Sequence, residues 1–286
     1  MAIAIDGNGR LFVLNCCRSN EPYVTVYAAG TGNLLRTIPN IQDASAMAVS
    51  RGGGEVFIMD SADGKVSVYG PTGSKPLRTI IQGVNAPQAI AVDSTGTLYV
   101  ANCDDACTEY DGPGTVTVYN AGQSGLSRTI TQNVPTPWRL MIGPKDDLYV
   151  ANYDGSEVAS YPGSVAVFQS GKGKAYEVVS QGLSGPAILT VGPSGTLAVS
   201  NCSYFCYYNS DGAFLTVYPP GNTKPARTIK RGMNVPSAIA IGPSGYLFVP
   251  NDYPTNSVVV FAPGSKTVQR TITQGINHPS ALLFGP

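Results

Sequence analysis

One short phrase returns six times along the chain, and this repetition constrains the fold more than any single residue does. The phrase is a run of four mostly apolar residues closed by Asn or Asp, as in residues 98–102, Leu-Tyr-Val-Ala-Asn. Its last residue recurs after 45, 42, 50, 49 and 50 positions. A period in this range is typical of repeat architectures, in which each copy is one supersecondary unit. The closing residues are Asn15, Asp60, Asn102, Asn152, Asn201 and Asn251.

The third copy indicates what one repeat contains. Residues 89–92 form a small apolar run, and residues 98–101 form a second run that is apolar on both faces, as expected of a strand buried on both sides. Residues 115–119 alternate polar and apolar side chains, the period of a half-exposed strand, and residues 127–130 form a fourth run. Each repeat therefore predicts four short strands, and the 33 Gly and 22 Pro of the chain suit the turns between them.

Four antiparallel strands, repeated six times, predict an all-β protein with the fold of a six-bladed β-propeller. The main alternative is an open solenoid, but a closed ring leaves no blade face exposed and needs no special caps. We expect a single domain, in which residues 281–286 are a surplus closing strand that competes with residues 2–6 for the innermost position of the first blade. The expected blades are approximately residues 1–43, 44–86, 87–136, 137–185, 186–235 and 236–280.

Composition excludes several classes of partner. The formal net charge is zero and charged residues are only 13% of the chain, so no basic patch is available to neutralise the phosphates of a nucleic acid. No apolar run approaches the roughly 18 residues that a membrane span needs. No signal peptide opens the chain, so the protein is either cytosolic or has lost its leader.

The six cysteines favour the second of these alternatives. Two pairs are spaced four residues apart and follow the repeat asparagine, in loops that should be exposed. Exposed, paired cysteines indicate disulfides and an oxidising compartment, so we predict a secreted or periplasmic protein. Zinc is disfavoured because the short Cys-x2-Cys spacing is absent. Cys16 and Cys17 are left as a strained vicinal pair or as free thiols, because six cysteines allow 15 pairings. The predicted disulfides are Cys103–Cys107 and Cys202–Cys206.

A family resemblance appears in the last full copy. Residues 236–249, Pro-Ser-Ala-Ile-Ala-Ile-Gly-Pro-Ser-Gly-Tyr-Leu-Phe-Val, followed by Asn251, resemble an NHL-type repeat, whose phrase is Pro-x-Gly-Ile-Ala-Val-Asp and then Gly-x-Ile-Tyr-Val-Ala-Asp. The resemblance covers the whole chain and implies a propeller that binds ligands on one face, over a central channel. The family's Gly before the first strand is missing and its final Asp is mostly Asn. These departures place the chain at the edge of the family, near bacterial streptogramin-lyase-like and gluconolactonase-like propellers.

The catalytic residues of these propellers do not all have counterparts in this chain. The lactonase-like propellers hold a divalent cation with a Glu and with Asn or Asp residues near the starts of inner strands, and no carboxylate stands at those starts here. The streptogramin-lyase-like propellers use a His and carboxylates, and His278, the single histidine, is the only candidate. The residues at the inner-strand starts are Ser45, Gln88, Trp138, Ala187, Ser237 and Ser280.

Loop length points to a candidate binding face. Loop length is measured here as the number of positions from the repeat Asn or Asp to the aromatic residue of the third strand. In the six copies it is 12, 9, 17, 16, 17 and 10. The three longest loops belong to consecutive blades and are rich in tyrosine, and Tyr, Trp and Arg are enriched at binding hot spots. The alternative is that these rings pack the long loops together. The predicted ligand contacts are Trp138, Arg139, Tyr110, Tyr153, Tyr204 and Tyr207.

These observations lead to one leading interpretation and one alternative. The repeat Asn and Asp residues could converge on Ca²⁺, but a residue that ends every second strand more simply starts each loop with an Asx turn. We therefore expect a monomeric, secreted, non-catalytic propeller without a cofactor, which binds a small molecule, a glycan or a protein on the face of blades three to five. The alternative is a cation-dependent lyase or lactonase with its site at the mouth of the central channel.

Overall fold

The computed structural model describes residues 2–15, 22–41, 43–103, 114–153, 163–201, 212–252 and 255–284. These residues form 24 strands in six antiparallel sheets of four strands each, and none of them is helical. The predicted all-β, six-bladed β-propeller with four antiparallel strands per blade is therefore confirmed. No stretch of the described chain offers a helix of the length and apolarity needed to cross a bilayer.

The chain divides into two compact units, of which the first comprises residues 1–131 with residues 285–286. It contains the first three sheets, and in each of them the strands lie in sequence order. The first sheet is β1 Ala2–Ile5, β2 Leu11–Asn15, β3 Tyr23–Tyr27 and β4 Leu34–Ile38; the second is β5 Ala44–Val49, β6 Val56–Asp60, β7 Lys65–Tyr69 and β8 Pro76–Ile80; the third is β9 Pro87–Val92, β10 Leu98–Asn102, β11 Thr115–Tyr119 and β12 Arg128–Ile130.

The second unit comprises residues 132–284 and contains the other three sheets, again with the strands in sequence order. The fourth sheet is β13 Pro137–Ile142, β14 Leu148–Asn152, β15 Ser164–Phe168 and β16 Ala175–Val179; the fifth is β17 Pro186–Val191, β18 Leu197–Asn201, β19 Phe214–Tyr218 and β20 Arg227–Ile229; the sixth is β21 Ala240–Ile241, β22 Leu247–Asn251, β23 Ser257–Phe261 and β24 Val268–Ile272.

The second strand of each repeat is the centre of the core, as its doubly apolar pattern predicts. All five residues of β6, of β10 and of β18 are buried. Within the first unit, Phe57 and Met59 of β6 pack against Ile90 and Tyr119 of the third sheet, so neighbouring sheets bury their faces against each other. Burying one large apolar side chain contributes about 1.5–3 kcal/mol, which makes these contacts between sheets the main stabilisation of each unit.

The repeat asparagine is a structural residue. Asn201 is fully buried, its Oδ1 accepts the backbone N–H of Ser184 at 2.9 Å, and its Nδ2 donates to Thr216 Oγ1 at 3.0 Å. Asn102 and Asn251 accept a backbone N–H in the same way, at 3.0 and 2.9 Å. In the described part of the chain, no group of three or more His, Cys, Asp or Glu side chains is arranged to hold a metal ion.

The arginine of the fourth strand links one sheet to the next. Arg36 of β4 donates to the carbonyl oxygens of Gly70 and Gly73, which belong to the turn between β7 and β8. Arg227 of β20 likewise donates to Ser265 O at 2.8 Å, in the turn between β23 and β24. Desolvation lowers the pKa of both guanidinium groups. The Arg-Thr-Ile motif thus clamps consecutive sheets at Arg36 and Arg227, whereas Arg78 forms an ion pair with Glu55, which precedes β6 of its own sheet.

The end of the described chain carries no strand. β1 occupies the first-strand position of the first sheet and pairs with β2 along its length. Residues 279–284 repeat the first-strand phrase but have no strand partner among the described residues. The expected closing role of residues 281–286 stays a prediction, because residues 285 and 286 lie outside the described part of the chain.

Candidate functional site

Three of the predicted contact residues meet in the fourth sheet. Trp138 lies at the start of β13, and Tyr153 directly follows β14. The centroids of their rings are 5.6 Å apart and the ring planes are inclined by 33°. The guanidinium carbon of Arg139 lies 5.2 Å from the centroid of the Trp138 ring, within the range of a cation–π contact. We call Trp138, Arg139 and Tyr153 the aromatic cluster.

A β-bulge places the tryptophan. Pro137 pairs with Asn152 and Arg139 pairs with Ala151, so Trp138 is the extra residue at a shift in register. A bulge of this kind bends the strand and re-aims the side chain of the extra residue.

The same irregularity recurs in other sheets, so the bulge is part of the repeat. It falls at Ser45 and Gln88 in the first unit and at Ala187 in the second. Among these equivalent positions only the fourth sheet carries an aromatic residue.

Hydrogen bonds hold the tyrosine beside the tryptophan. The backbone N–H of Tyr153 donates to Thr136 O at 3.0 Å, and Thr136 Oγ1 donates to Tyr153 O at 2.6 Å. These two bonds connect the residues that precede β13 and follow β14. The backbone on both sides of the aromatic cluster is thereby fixed, and a rigid ring platform loses little conformational entropy when it binds a ligand.

Arg139 brings a positive charge to the cluster. Its Nη1 donates to Trp138 O at 3.0 Å, and no carboxylate of the described residues forms an ion pair with it. Desolvation lowers the pKa of Arg139, although the residue is exposed, because protein atoms surround the guanidinium without covering it. Arginine remains protonated at neutral pH despite such a shift, so its remaining N–H groups are available to an acceptor on a ligand.

The other predicted site residues lie outside the described part of the chain. These are Tyr110, Tyr204 and Tyr207, together with Cys107, Cys202 and Cys206. Cys103 is described: it follows β10, is 4% exposed, and its backbone N–H donates to Ala86 O at 3.3 Å. The Cys103–Cys107 and Cys202–Cys206 disulfides and the tyrosine contacts therefore stay predictions.

A pair that sequence reasoning missed lies in the sixth sheet. His278 Nδ1 is 2.8 Å from Asp252 Oδ1, and the backbone N–H of His278 donates to Asn256 Oδ1 at 3.1 Å. The side chains of His278 and Asp252 are 60% and 40% exposed. A carboxylate that accepts from Nδ1 orients the ring and leaves Nε2 able to take a proton from a substrate or from water. The sequence feature that could have indicated this pair is the position of Asp252, which directly follows the repeat residue Asn251.

Comparison with known proteins identifies the fold but no family. No family model matches the chain, and no curated protein matches it either. Among solved structures, 1344 chains are similar, which means that the architecture is shared by many proteins. One of them is the Kuenenia stuttgartiensis hydrazine synthase, with 19% sequence identity, a TM-score of 0.68, and coverage of 90% of this chain and 75% of that chain. A likeness at this identity shows the fold alone, so the NHL-type resemblance stays a prediction.

Proposed function

We propose that this protein is a secreted, non-catalytic binding propeller whose ligand contacts the aromatic cluster. The observation that carries the proposal is the placement of Trp138, at a bulge, between the charge of Arg139 and the ring of Tyr153. Tyr110, Tyr204 and Tyr207, which lie outside the described residues, remain predicted contacts of the same ligand. The propeller fold is compatible with such a role because propellers host many functions on one scaffold.

The chemistry of the cluster favours a glycan. A tilted pair of rings offers flat apolar area for the C–H face of a sugar, while the guanidinium offers hydrogen bonds to its hydroxyl groups. Arg139 has no ion-pair partner among the described residues, so a sugar that carries a carboxylate gains a charge-assisted bond. We therefore expect uronate-containing oligosaccharides to bind more tightly than neutral oligosaccharides of the same length.

The chain contains a built-in reporter for this experiment. Trp138 is its only tryptophan, so the tryptophan emission, excited selectively over the tyrosines, comes from the proposed site. We expect titration with uronate oligosaccharides to change the emission, and calorimetry to give the same dissociation constant. An emission spectrum unchanged by uronate and neutral oligosaccharides, together with no measurable heat, would reject the glycan.

A second candidate function rests on the contact between His278 and Asp252. This pair supports the alternative of a lyase or lactonase, because an imidazole oriented by a carboxylate can act as a general base. The discriminating assay is turnover of a panel of lactones, with and without added Mg²⁺ or Ca²⁺. Activity that is lost in Asp252→Asn and in His278→Ala would favour the enzyme. The variant Tyr176→Phe is the control, since Tyr176 is exposed on β16 and far along the chain from both residues.

A further inference from the structure

The last strand of the second sheet carries an apolar stripe that faces solvent. Leu77 of β8 is 63% exposed, and Ile81, which directly follows β8, is 64% exposed; no other large apolar side chain of the described residues is exposed as much. Thr79 between them is also exposed, whereas Arg78 is half-buried and Ile80 is buried. Successive side chains of a strand point to opposite faces, so Leu77, Thr79 and Ile81 lie on one face.

One edge of β8 has no strand beside it among the described residues. The sheet has the order β5-β6-β7-β8, and β8 pairs with β7 along its other edge, with Val66 opposite Ile80. The second sheet lies in the first unit together with the first and third sheets, its neighbours in the chain. An unpaired edge offers main-chain N–H and C=O groups to a further strand. The carbonyl of Ile81 is already used, since it accepts the N–H of Val84 at 3.0 Å.

The other five sheets carry proline or a polar residue where the second sheet has Ile81. Natural proteins place Pro and charged residues, in particular Lys, on edge strands, because these residues prevent the edge from pairing with another chain. The edge of β4 also has an exposed leucine, Leu35, but there the stripe ends in a proline, which has no N–H to donate. The residues at the position of Ile81 are Pro39, Thr131, Ser180, Lys230 and Thr273.

Leu77 is supported by the main chain of its own hairpin. A Cβ added at Gly70, the residue after β7, would lie 3.2 Å from Leu77 Cδ1, so the leucine packs directly over the glycine. The carbonyl of Gly70 in turn accepts a hydrogen bond from Arg36 Nη2 of the first sheet at 2.9 Å. A side chain held by such contacts loses less conformational entropy on association than a free one.

The arginine between the exposed residues has its charge neutralised. Arg78 donates two hydrogen bonds to Glu55, one of them 2.8 Å long between Nη2 and Oε2. Like charges directly opposite each other destabilise a strand pair. Because Arg78 and Glu55 together carry no net charge, two copies of this edge can approach each other without repulsion from the arginine.

We propose that two copies of this protein associate through β8, edge to edge and antiparallel. A two-fold axis at Thr79 places Leu77 of each copy opposite Ile81 of the other copy, so the stripe is complementary to itself. Lys75, which precedes the strand, then lies opposite Gly83, where no like charge repels it. Main-chain hydrogen bonds join the two sheets, and the apolar cross-strand pairs add selectivity. The proposal replaces the expectation of a monomer and does not depend on the aromatic cluster.

The strength of the association follows from the size of the contact. One strand and two apolar cross-strand pairs form a small interface, so the dimer is weak. We expect a dissociation constant on the order of 50 μM, measured by sedimentation equilibrium of the whole protein from about 5 to about 500 μM. The two-fold axis uses the free edge of both copies, so the assembly closes at the dimer. A monomer throughout this range, or growth beyond the dimer, would overturn the proposal.

A pair of charge variants tests the register. Leu77→Lys and Ile81→Glu each place two charges opposite apolar side chains in a homodimer, so each variant alone should weaken association about tenfold or more. In a mixture of the two variants, the introduced lysine faces the introduced glutamate, and the remaining isoleucine faces the remaining leucine. A heterodimer should therefore form with an affinity close to that of the parent. Parallel pairing of the strands would bring position 77 beside position 77, and the mixture would then gain nothing.

The controls separate this contact from folding and from general surface effects. Leu77 and Ile81 are exposed, so the two substitutions should leave thermal unfolding of dilute protein nearly unchanged. Tyr176→Lys, at the corresponding exposed position of β16 in the fourth sheet, should leave the dimer intact. A dimer that persists in Leu77→Lys and Ile81→Glu, a mixture that fails to associate, or a dimer lost equally in Tyr176→Lys would each overturn the proposal.

Discussion

The ring centroids of Trp138 and Tyr153 lie 5.6 Å apart, although the two residues are separated by most of a β-hairpin. The pairing of β13 with β14 brings them together, and the bulge between Pro137 and Arg139 turns the indole toward the phenol. Regular pairing without the bulge would shift the register by one residue and send the indole to the other face of the sheet. The candidate site therefore depends on an irregularity that the repeat itself carries.

Removal of the indole should weaken ligand binding and leave stability nearly unchanged. We expect Trp138→Ala to weaken binding of a glycan identified by titration by more than about 1 kcal/mol, because the platform is lost. Trp138 is only half-buried, so its removal leaves no enclosed cavity and the melting temperature should change little. Calorimetry and thermal unfolding measure the two effects. Trp138→Phe, which retains a ring, is the matched control, and an affinity unchanged in Trp138→Ala would remove this residue from the site.

The repeat asparagine should be essential for stability. Asn201→Ala removes the acceptor of the Ser184 N–H and the donor to Thr216 in a fully buried place, so we expect a loss of about 2–4 kcal/mol. Denaturant unfolding measures this loss. The exposed Asn222, whose Nδ2 donates to Pro220 O at 3.3 Å, is the control, and Asn222→Ala should stay within about 0.5 kcal/mol of the parent. Equal effects of the two substitutions would contradict the structural role of Asn201.

Val235 should be replaceable by glycine with a gain in stability. Its φ is +45°, a left-handed conformation that β-branched residues rarely adopt, and the equivalent residue of the fifth sheet is Gly185 with φ +57°. We expect Val235→Gly to raise the free energy of unfolding by about 0.5–1 kcal/mol, since relief of strain exceeds the entropy cost of glycine. The reciprocal Gly185→Val should lower it by at least as much. A loss of stability in Val235→Gly would show that the valine side chain outweighs the strain.

Glu177 should make stability depend on pH. Desolvation, with a smaller effect from Asp147, raises the pKa of Glu177 in the folded protein above the ordinary value of 4.5. The folded state therefore holds this proton more tightly than the unfolded state. The free energy of unfolding falls as pH rises from the unfolded-state pKa of Glu177 to its raised folded-state pKa, and this loss persists at higher pH. Glu177→Gln should raise the melting temperature at about pH 7. The gain should disappear at about pH 3.5, because the carboxyl group is then protonated in the folded and the unfolded state.

The charge-removing exchange at Glu177 has a control in the turn before β16. Lys172→Gln removes a charge close to β16 in sequence without removing a carboxylate. Its effect on the melting temperature should not follow the titration of Glu177. A gain in Glu177→Gln that is equal at both ends of the pH range would mean that packing, and not ionisation, causes it.

The sequence was sufficient for features that depend on local pattern. The alternation in Thr115–Tyr119 and the doubly apolar run of Leu98–Asn102 predicted both strands. The expected half-exposure of Thr115–Tyr119 was wrong, because four of its five residues are buried. The repeat of these patterns predicted the propeller. The repetition predicted a structural role for the repeat asparagine, since a residue present in every copy serves what all copies share. The expected Asx turn was wrong at Asn201, because its Oδ1 accepts the N–H of Ser184, 17 residues earlier in the chain.

What the sequence alone determined is thus the strand content, the number of blades and the positions where loops begin, because these depend on residues close together in the chain. Only the tertiary structure decided which side chains meet. His278 contacts Asp252, and Arg36 reaches the turn at Gly70, across long stretches of intervening chain. Contacts of this kind depend on how strands and turns that are distant in the chain pack together. The contact between Trp138 and Tyr153 depends in addition on a one-residue bulge in β13. No local sequence pattern encodes the distances between such atoms.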